Sequence, residues 1–280
     1  MFLPRDPSNL GALRVLMGAD YDVTSWFAGT REAAIGRGRG STAAAESVLV
    51  SVVSGRIEVF GSDVSFDWRD CPRFDGDGVT ELLHLGRAEV VCDGSVSLRE
   101  VLIERAPRGR SLSEVLGART PAPITARWIL ALAKIVRGLV ARRAPVELNP
   151  ECIGVRGMSD EARGSVVEFA PRGAVWLLCV RSEWREGNRW HFALTAPEVL
   201  RGERHCDREC AAVWSLGALG YWLHHGVPFV PDTAEGATRA AVVPRPIAWS
   251  HPLAQALSPS PNERPGFDAL IAALELEHDP

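Results

Sequence analysis

The sequence predicts an α+β fold, with a strand in its first part and two core helices further on. Three observations carry this. Val48-Leu49-Val50-Ser51-Val52-Val53 is a β-branched run of strand length. Within residues 125–142, Trp128, Leu132, Ile135, Val136 and Leu139 recur at i, i+4, i+7, i+8 and i+11, the stripe of an amphipathic helix facing a core. From Ala211 to His224 the chain is apolar nearly all round, through Val213, Trp214, Leu216, Leu219, Tyr221, Trp222 and Leu223. A surface helix would keep a polar back, so this one is expected at the centre of a domain. Gly226 and Pro228 follow as its stop signal. At roughly fourteen residues it is too short for a bilayer, which takes about twenty.

Composition narrows the classes. The chain has 280 residues and a net charge of −4, which supplies no electrostatic footprint for nucleic acid or an anionic membrane. Hydrophobic content of 46% with 24% charged residues is that of a soluble globular protein, long enough for one large domain or two smaller lobes. No run of eighteen apolar residues occurs, and the first twenty residues lack a signal-peptide layout. The six cysteines form no disulfide-scaffold pattern, so a reducing cytoplasm is the expected compartment. Of 31 basic residues only Lys134 is a lysine, as a GC-rich, arginine-favouring genome would produce. Chemistry that needs an ammonium group therefore has one candidate, and it lies off the apolar stripe of its helix, where a surface lysine is expected.

The remaining elements follow in chain order. Residues 1–30 hold no decisive signal. Gly36-Arg37-Gly38-Arg39-Gly40-Ser41 offers bare backbone that could approach a phosphate, or a flexible turn. Residues 55–80 alternate hydrophobic and polar, then turn at Asp75-Gly76-Asp77-Gly78, where the spaced ligands and closing glutamate of a calcium loop are missing. Ser111 to Glu114 has the form of a capping box, starting a helix at Leu112. Met158–Gly164 reads as a surface loop, and Ser182 and Thr195 as ordinary hydroxyls. His205, Cys206 and Cys210 lie together, but four zinc ligands are not present, so incidental thiols are expected.

Several motifs carry a resemblance. Ala196-Pro197-Glu198, Ala212-Val213-Trp214-Ser215-Leu216-Gly217 and Leu257 to Pro265 (LSPSPNERP) stand in order near the C-terminus. They resemble three landmarks of the protein kinase C-terminal lobe: the A-P-E motif, the D-x-W-S-L-G start of the central helix, and the L-x-x-D-P-x-x-R-P turn. Val101 to Leu112 (VLIERAPRGRSL) is similar to the strand and hinge that join the two kinase lobes. Pro145 to Ile153 (PVELNPECI) is similar to the catalytic loop H-R-D-L-K-P-E-N-I. The resemblance implies a bilobal protein-kinase-like fold, with a small β-rich N-lobe over 1–104 and a mainly helical C-lobe over 105–280. Residues 1–30 would extend the first lobe.

The resemblance also assigns chemistry, and this sequence departs from it there. Leu148, Pro150, Glu151 and Ile153 match the residues that shape the loop. At the chemical positions, Pro145-Val146 replace His-Arg, Glu147 the catalytic aspartate, Asn149 the lysine and Cys152 the metal-binding asparagine. A thiol is a poor ligand for Mg²⁺, and a base displaced by about 1 Å costs roughly a hundredfold in rate. Ser51 stands where the strand lysine belongs, and Glu81, at the expected end of a helix, is the nearby acid that would have paired with it. The D-F-G equivalent has two candidates. Cys179-Val180-Arg181 would follow a strand at Gly173–Leu178, with Val166–Phe169 as that strand's hairpin partner; Glu168-Phe169-Ala170 is the other. The hinge backbone at Glu104, Arg105 and Ala106 is the place where the resemblance would put an adenine. Glu198 and Arg264 correspond to the family's structural ion pair, with Trp214 in the central helix, whereas the aspartate that braces the catalytic loop is Ala212.

Phosphoryl transfer rests on positioned charge and metal. The expectation is therefore a catalytically inactive, cytoplasmic pseudokinase of bacterial type that binds another protein, such as an active kinase or signalling component, as regulator or scaffold. The alternatives are a nucleotide sensor without turnover and an atypical kinase or transferase with a rearranged site. No cofactor or metal is expected, weak ATP binding without Mg²⁺ stays open, and neither nucleic acid nor membrane is an expected partner.

Overall fold

The structure, a computed structural model, describes residues 12–15, 19–29, 33–40, 47–53, 77–92, 95–142, 146–156, 167–171, 189–203, 206–230 and 252–278. Helix and sheet are both present, and the chain divides into two compact units. The described residues of Met1–Asp75, Thr80–Ala106 and Ala170–Trp184 belong to the first, and the rest to the second.

The first unit is an antiparallel barrel. Its strands are β1 (Ala12–Val15), β2 (Ala19–Gly29), β3 (Ala33–Gly40), β4 (Ser47–Val53), β5 (Leu82–Cys92) and β6 (Ser95–Arg105). They follow the order β1-β2-β3-β4-β6-β5, and β1 pairs with β5 to close the ring, Leu13 opposite Val90. The central strands are apolar on both faces. Val48, Leu49 and Val50 of β4 are fully buried, as are Val101, Leu102 and Ile103 of β6, which is why both read as continuous hydrophobic runs rather than alternating ones. Cys92 pairs with Ser95 at the end of the β5–β6 ladder.

Two expectations are corrected in this unit. Gly36–Gly40 is not a phosphate-cradling loop: it lies in β3, paired with β2 on one side and β4 on the other. An interior strand spends its backbone N–H groups on its neighbours, leaving none to wrap a phosphate. Glu81 does not end a helix either. It precedes β5, and its carboxylate pairs with Arg105 at 3.0 Å. Asp77 is exposed in a turn, whereas Asp75 lies outside the described residues.

The second unit is mostly helical around a small sheet. Its strands β7 (Arg110–Ser111), β8 (Ile153–Val155) and β9 (Val167–Phe169) pair in that order. Its helices are α1 (Leu112–Val115), α2 (Ala122–Ala141), α3 (Arg189–Leu194), α4 (Pro197–Leu200), α5 (Arg208–His225), α6 (Leu253–Ala256) and α7 (Phe267–His278). The predicted stripe holds in α2, where Trp128, Leu132, Val136 and Leu139 are buried and pack with the buried face of α5 and of α7. Ile135 is only half-buried, against the backbone of Gly78. Lys134 is on the surface, 2.7 Å from Glu275 of α7.

Helix α5 is buried along most of its length and begins earlier than the apolar run suggested. Asp207 caps it, accepting from the Glu209 and Cys210 amides at 2.8 and 3.3 Å. It stops at Gly226, whose φ of 74° is the left-handed cap expected there. The capping box at Ser111 does not form: its side chain makes no cap bond, and α1 is a single turn. The Ser111 hydroxyl instead lies 2.8 Å from that of Ser113 and donates to the Pro150 carbonyl at 3.1 Å. Among the described residues no helix is long and apolar enough to cross a membrane.

Candidate functional site

The segment Leu148–Ile153 is built as a tight turn leading into β8. Pro150–Cys152 forms one 3₁₀ turn, and the Asn149 side chain caps it by accepting from the Glu151 amide at 2.9 Å. The Cys152 amide closes the turn onto the Asn149 carbonyl, also at 2.9 Å. Leu148, Cys152 and Ile153 are at most 2% exposed, so the segment is pinned by its apolar side chains and by Ser111 from β7. Proline at the first turn position suits this shape because its φ is already set and its missing N–H costs no bond there.

Within this turn the polar residues are in structural use. Asn149 is 3% exposed and its side-chain oxygen holds the turn. The Cys152 side chain is wholly buried, closed to solvent and to any ion arriving from it. Glu147 sits half-buried at the head of the segment. Among the described residues no group of three or more His, Cys, Asp or Glu side chains is placed to hold a metal ion.

Beside the turn lies a cluster that sequence spacing does not reveal. Glu168 of β9 is 7% exposed. It accepts from the Arg108 amide at 2.8 Å and from Arg108 Nε at 2.6 Å, while Arg156 Nη2 stands 3.6 Å away. Burial works to raise the Glu168 carboxyl. The hydrogen bonds from the Arg108 side chain and amide, with the charges of Arg108 and Arg156, outweigh it and hold the group below the usual carboxylate range. The approach of the Arg108 segment requires Gly154 in β8, because a Cβ there would run into the Arg108 carbonyl. Glu168 is thus a carboxylate engaged by two guanidinium groups, and a cation would have to displace them.

Glu168-Phe169-Ala170 was one of the two D-F-G candidates. Its strand β9 pairs antiparallel with β8, Ile153 opposite Phe169. On its other side Phe169 bridges Val79, and its amide donates to the Gly78 carbonyl at 2.7 Å. At Phe169 the two edges of the strand are therefore taken by β8 and the Gly78–Val79 segment, while Val166 and the expected hairpin partner Gly173–Leu178 lie outside the described residues. The other candidate, Cys179-Val180-Arg181, lies outside the described residues, as do Gly173–Leu178, Met158–Gly164, Ser182 and His205. Cys206 and Cys210 are both free thiols and half-exposed.

In the barrel unit, Ser51 pairs with Leu102 across β4 and β6 and is fully buried. Its hydroxyl has no hydrogen-bond partner among the described residues. Glu104 is also fully buried, set between Leu49 and Leu82 in the ladders. The amides of the expected hinge are engaged: Arg105 donates to the Glu81 carbonyl at 2.8 Å and Ala106 to the Ser47 carbonyl at 2.9 Å.

The three residues assigned to structure are brought together in the helical unit. Glu198 of α4 and Arg264 are 1% and 0% exposed along their side chains. Arg264 Nη1 and Nη2 donate to the two Glu198 oxygens at 2.6 and 2.8 Å, the bidentate geometry that guanidinium suits. Nη1 also reaches the Cys210 carbonyl and Nε the Ser258 carbonyl, each at 2.9 Å. The guanidinium carbon lies 4.9 Å from the Trp214 ring centre. Ala212, one turn into α5, is buried and supplies no brace to the 148–153 turn. No family model matches the chain, and no curated protein matches it in sequence.

Proposed function

We propose that the chain is a pseudokinase: a protein-kinase-like fold that has kept its scaffold, lost its chemistry, and acts by binding another protein as regulator or scaffold. The observation that carries this is the 148–153 turn. There Leu148, Pro150 and Ile153 are buried, while the positions that should bear catalytic groups hold a capping Asn149 and a core Cys152. A turn whose Asn149 caps its own backbone and whose Cys152 is closed off in the core has little to offer a transferring phosphoryl group from those two positions. Ser51, uncharged and buried in β4, supports the same reading, as does the Glu198–Arg264 pair that ties α4 to the Arg264 turn without catalytic purpose. An α+β chain with a β-rich unit and a helical one suits such a fold.

The test is phosphotransfer. Radiolabelled ATP with the purified chain and generic protein substrates is expected to give no incorporation above that of a Glu147→Ala variant. Incorporation that disappears in Glu147→Ala would overturn the proposal. A partner that co-purifies in fixed stoichiometry from the native host, and is retained by the Glu147→Ala, Cys152→Ala double variant, is the positive result expected.

A further inference from the structure

We propose that the first unit seals its own hinge against purine nucleotides. The inference rests on the kinase-like reading only in taking the Arg105–Ala106 segment as the place a purine would enter. A purine is held at a backbone edge by N–H and C=O groups that have no other partner. Here both amides are spent within the unit, Arg105 on the Glu81 carbonyl and Ala106 on the Ser47 carbonyl. The ladders explain why. Strand β4 pairs with β6 as far as Val48 opposite Arg105, and β5 pairs with it to Leu82 opposite Glu104. The Ala106 amide bond then carries the β4 side one residue past the end of β6, so the edge a ligand would use is already a sheet.

Charge adds to this. The Arg105 guanidinium is held by Glu81 at 3.0 Å, and Glu104 is a fully buried acid in the same strand end. Ser51 brings no cation to β4, and no lysine occurs before Lys134 to meet a polyphosphate. A purine nucleotide would have to break two backbone hydrogen bonds to be held there. The consequence is a partner-binding state that does not respond to ATP or ADP.

Amide hydrogen exchange on the intact chain tests this at the bond itself. A peptide ending at Ala106 is informative because Pro107 carries no amide. The Arg105 and Ala106 amides are expected to exchange about a hundredfold or more slowly than an unstructured chain. Millimolar ATP or ADP, with or without Mg²⁺, is expected to leave those rates unchanged. An Ala106 amide that exchanges freely and gains protection with nucleotide would overturn the seal, as would any saturable nucleotide-dependent change at these two residues. Ala106→Pro, which deletes the donor, is expected to lower the urea midpoint of the barrel unit without altering the response to nucleotide. ATP turnover with an unchanged Ala106 amide would sink the non-catalytic reading while leaving the seal in place.

Discussion

Removing the Glu198 carboxylate should be among the most damaging single changes in the helical unit. The Arg264 guanidinium makes four hydrogen bonds at 2.6–2.9 Å, two of them to Glu198, and its side chain is 0% exposed. In Glu198→Ala the cation stays buried with only two backbone carbonyls and the Trp214 face for company. Breaking a buried pair from one side costs about 3–5 kcal/mol, because the surviving charge has neither its partner nor water. For a unit of this size that lowers Tm by roughly 2–4 °C per kcal/mol. Arg264→Met should cost a similar amount for the mirrored reason. The double variant Glu198→Leu, Arg264→Met leaves no stranded charge, and is expected to recover most of the loss. Urea unfolding followed by circular dichroism and tryptophan fluorescence would give the full cycle. A loss below about 1 kcal/mol in Glu198→Ala, the scale of an exposed pair, would refute the reasoning. So would a double variant whose loss is simply the sum of the two single losses, since contacting residues should couple.

Two further outcomes follow from other contacts. Gly78 has φ of +80°, and a Cβ there would lie 2.5 Å from Ile135 Cδ1 and 3.0 Å from the Val167 carbonyl. Gly78→Ala is therefore expected to cost about 1–3 kcal/mol in the same unfolding assay, with part recovered by Ile135→Val; a neutral Gly78→Ala would contradict the packing of this segment on β9. The Glu168 carboxyl is held below its unfolded value of 4.5, so its stabilisation is present above that pH and is lost as pH falls through the lowered folded value. Urea midpoints taken from neutral pH downward should fall in this acid range, and Arg108→Ala and Glu168→Gln should flatten that fall. Parallel curves for all three proteins would rule the pair out as its source.

The legible part of this protein was local. The helix stripe from Trp128 to Leu139 and the glycine stop after His225 are written in residues a few positions apart, and backbone sterics and helical period act at that range. The Glu198–Arg264 pair was readable only because the A-P-E and R-P motifs resemble a known pairing; nothing in a spacing of sixty-six residues implies contact.

Where the sequence misled, two local solutions were open and distant neighbours chose between them. Glycines at 36, 38 and 40 read as a phosphate loop or a flexible turn, and it is β2 and β4 on either side that claim their backbone for a strand. Ser111 could cap the helix that follows it, but the Pro150 carbonyl, thirty-nine residues on, takes its hydroxyl. The Glu168 cluster shows the limit most clearly, since Arg108 reaches it across sixty residues through a gap that only Gly154 leaves open. The sequence by itself determined the strand at Val48–Val53 and the buried central helix, because these depend on side-chain identity and short-range period. Tertiary structure alone decided which polar groups were spent on structure, Asn149 on its turn, Glu168 on two arginines and the Arg105 and Ala106 amides on the barrel. Hydrogen bonds and desolvation depend on what the fold places within 3 Å, and that distance is not written along the chain.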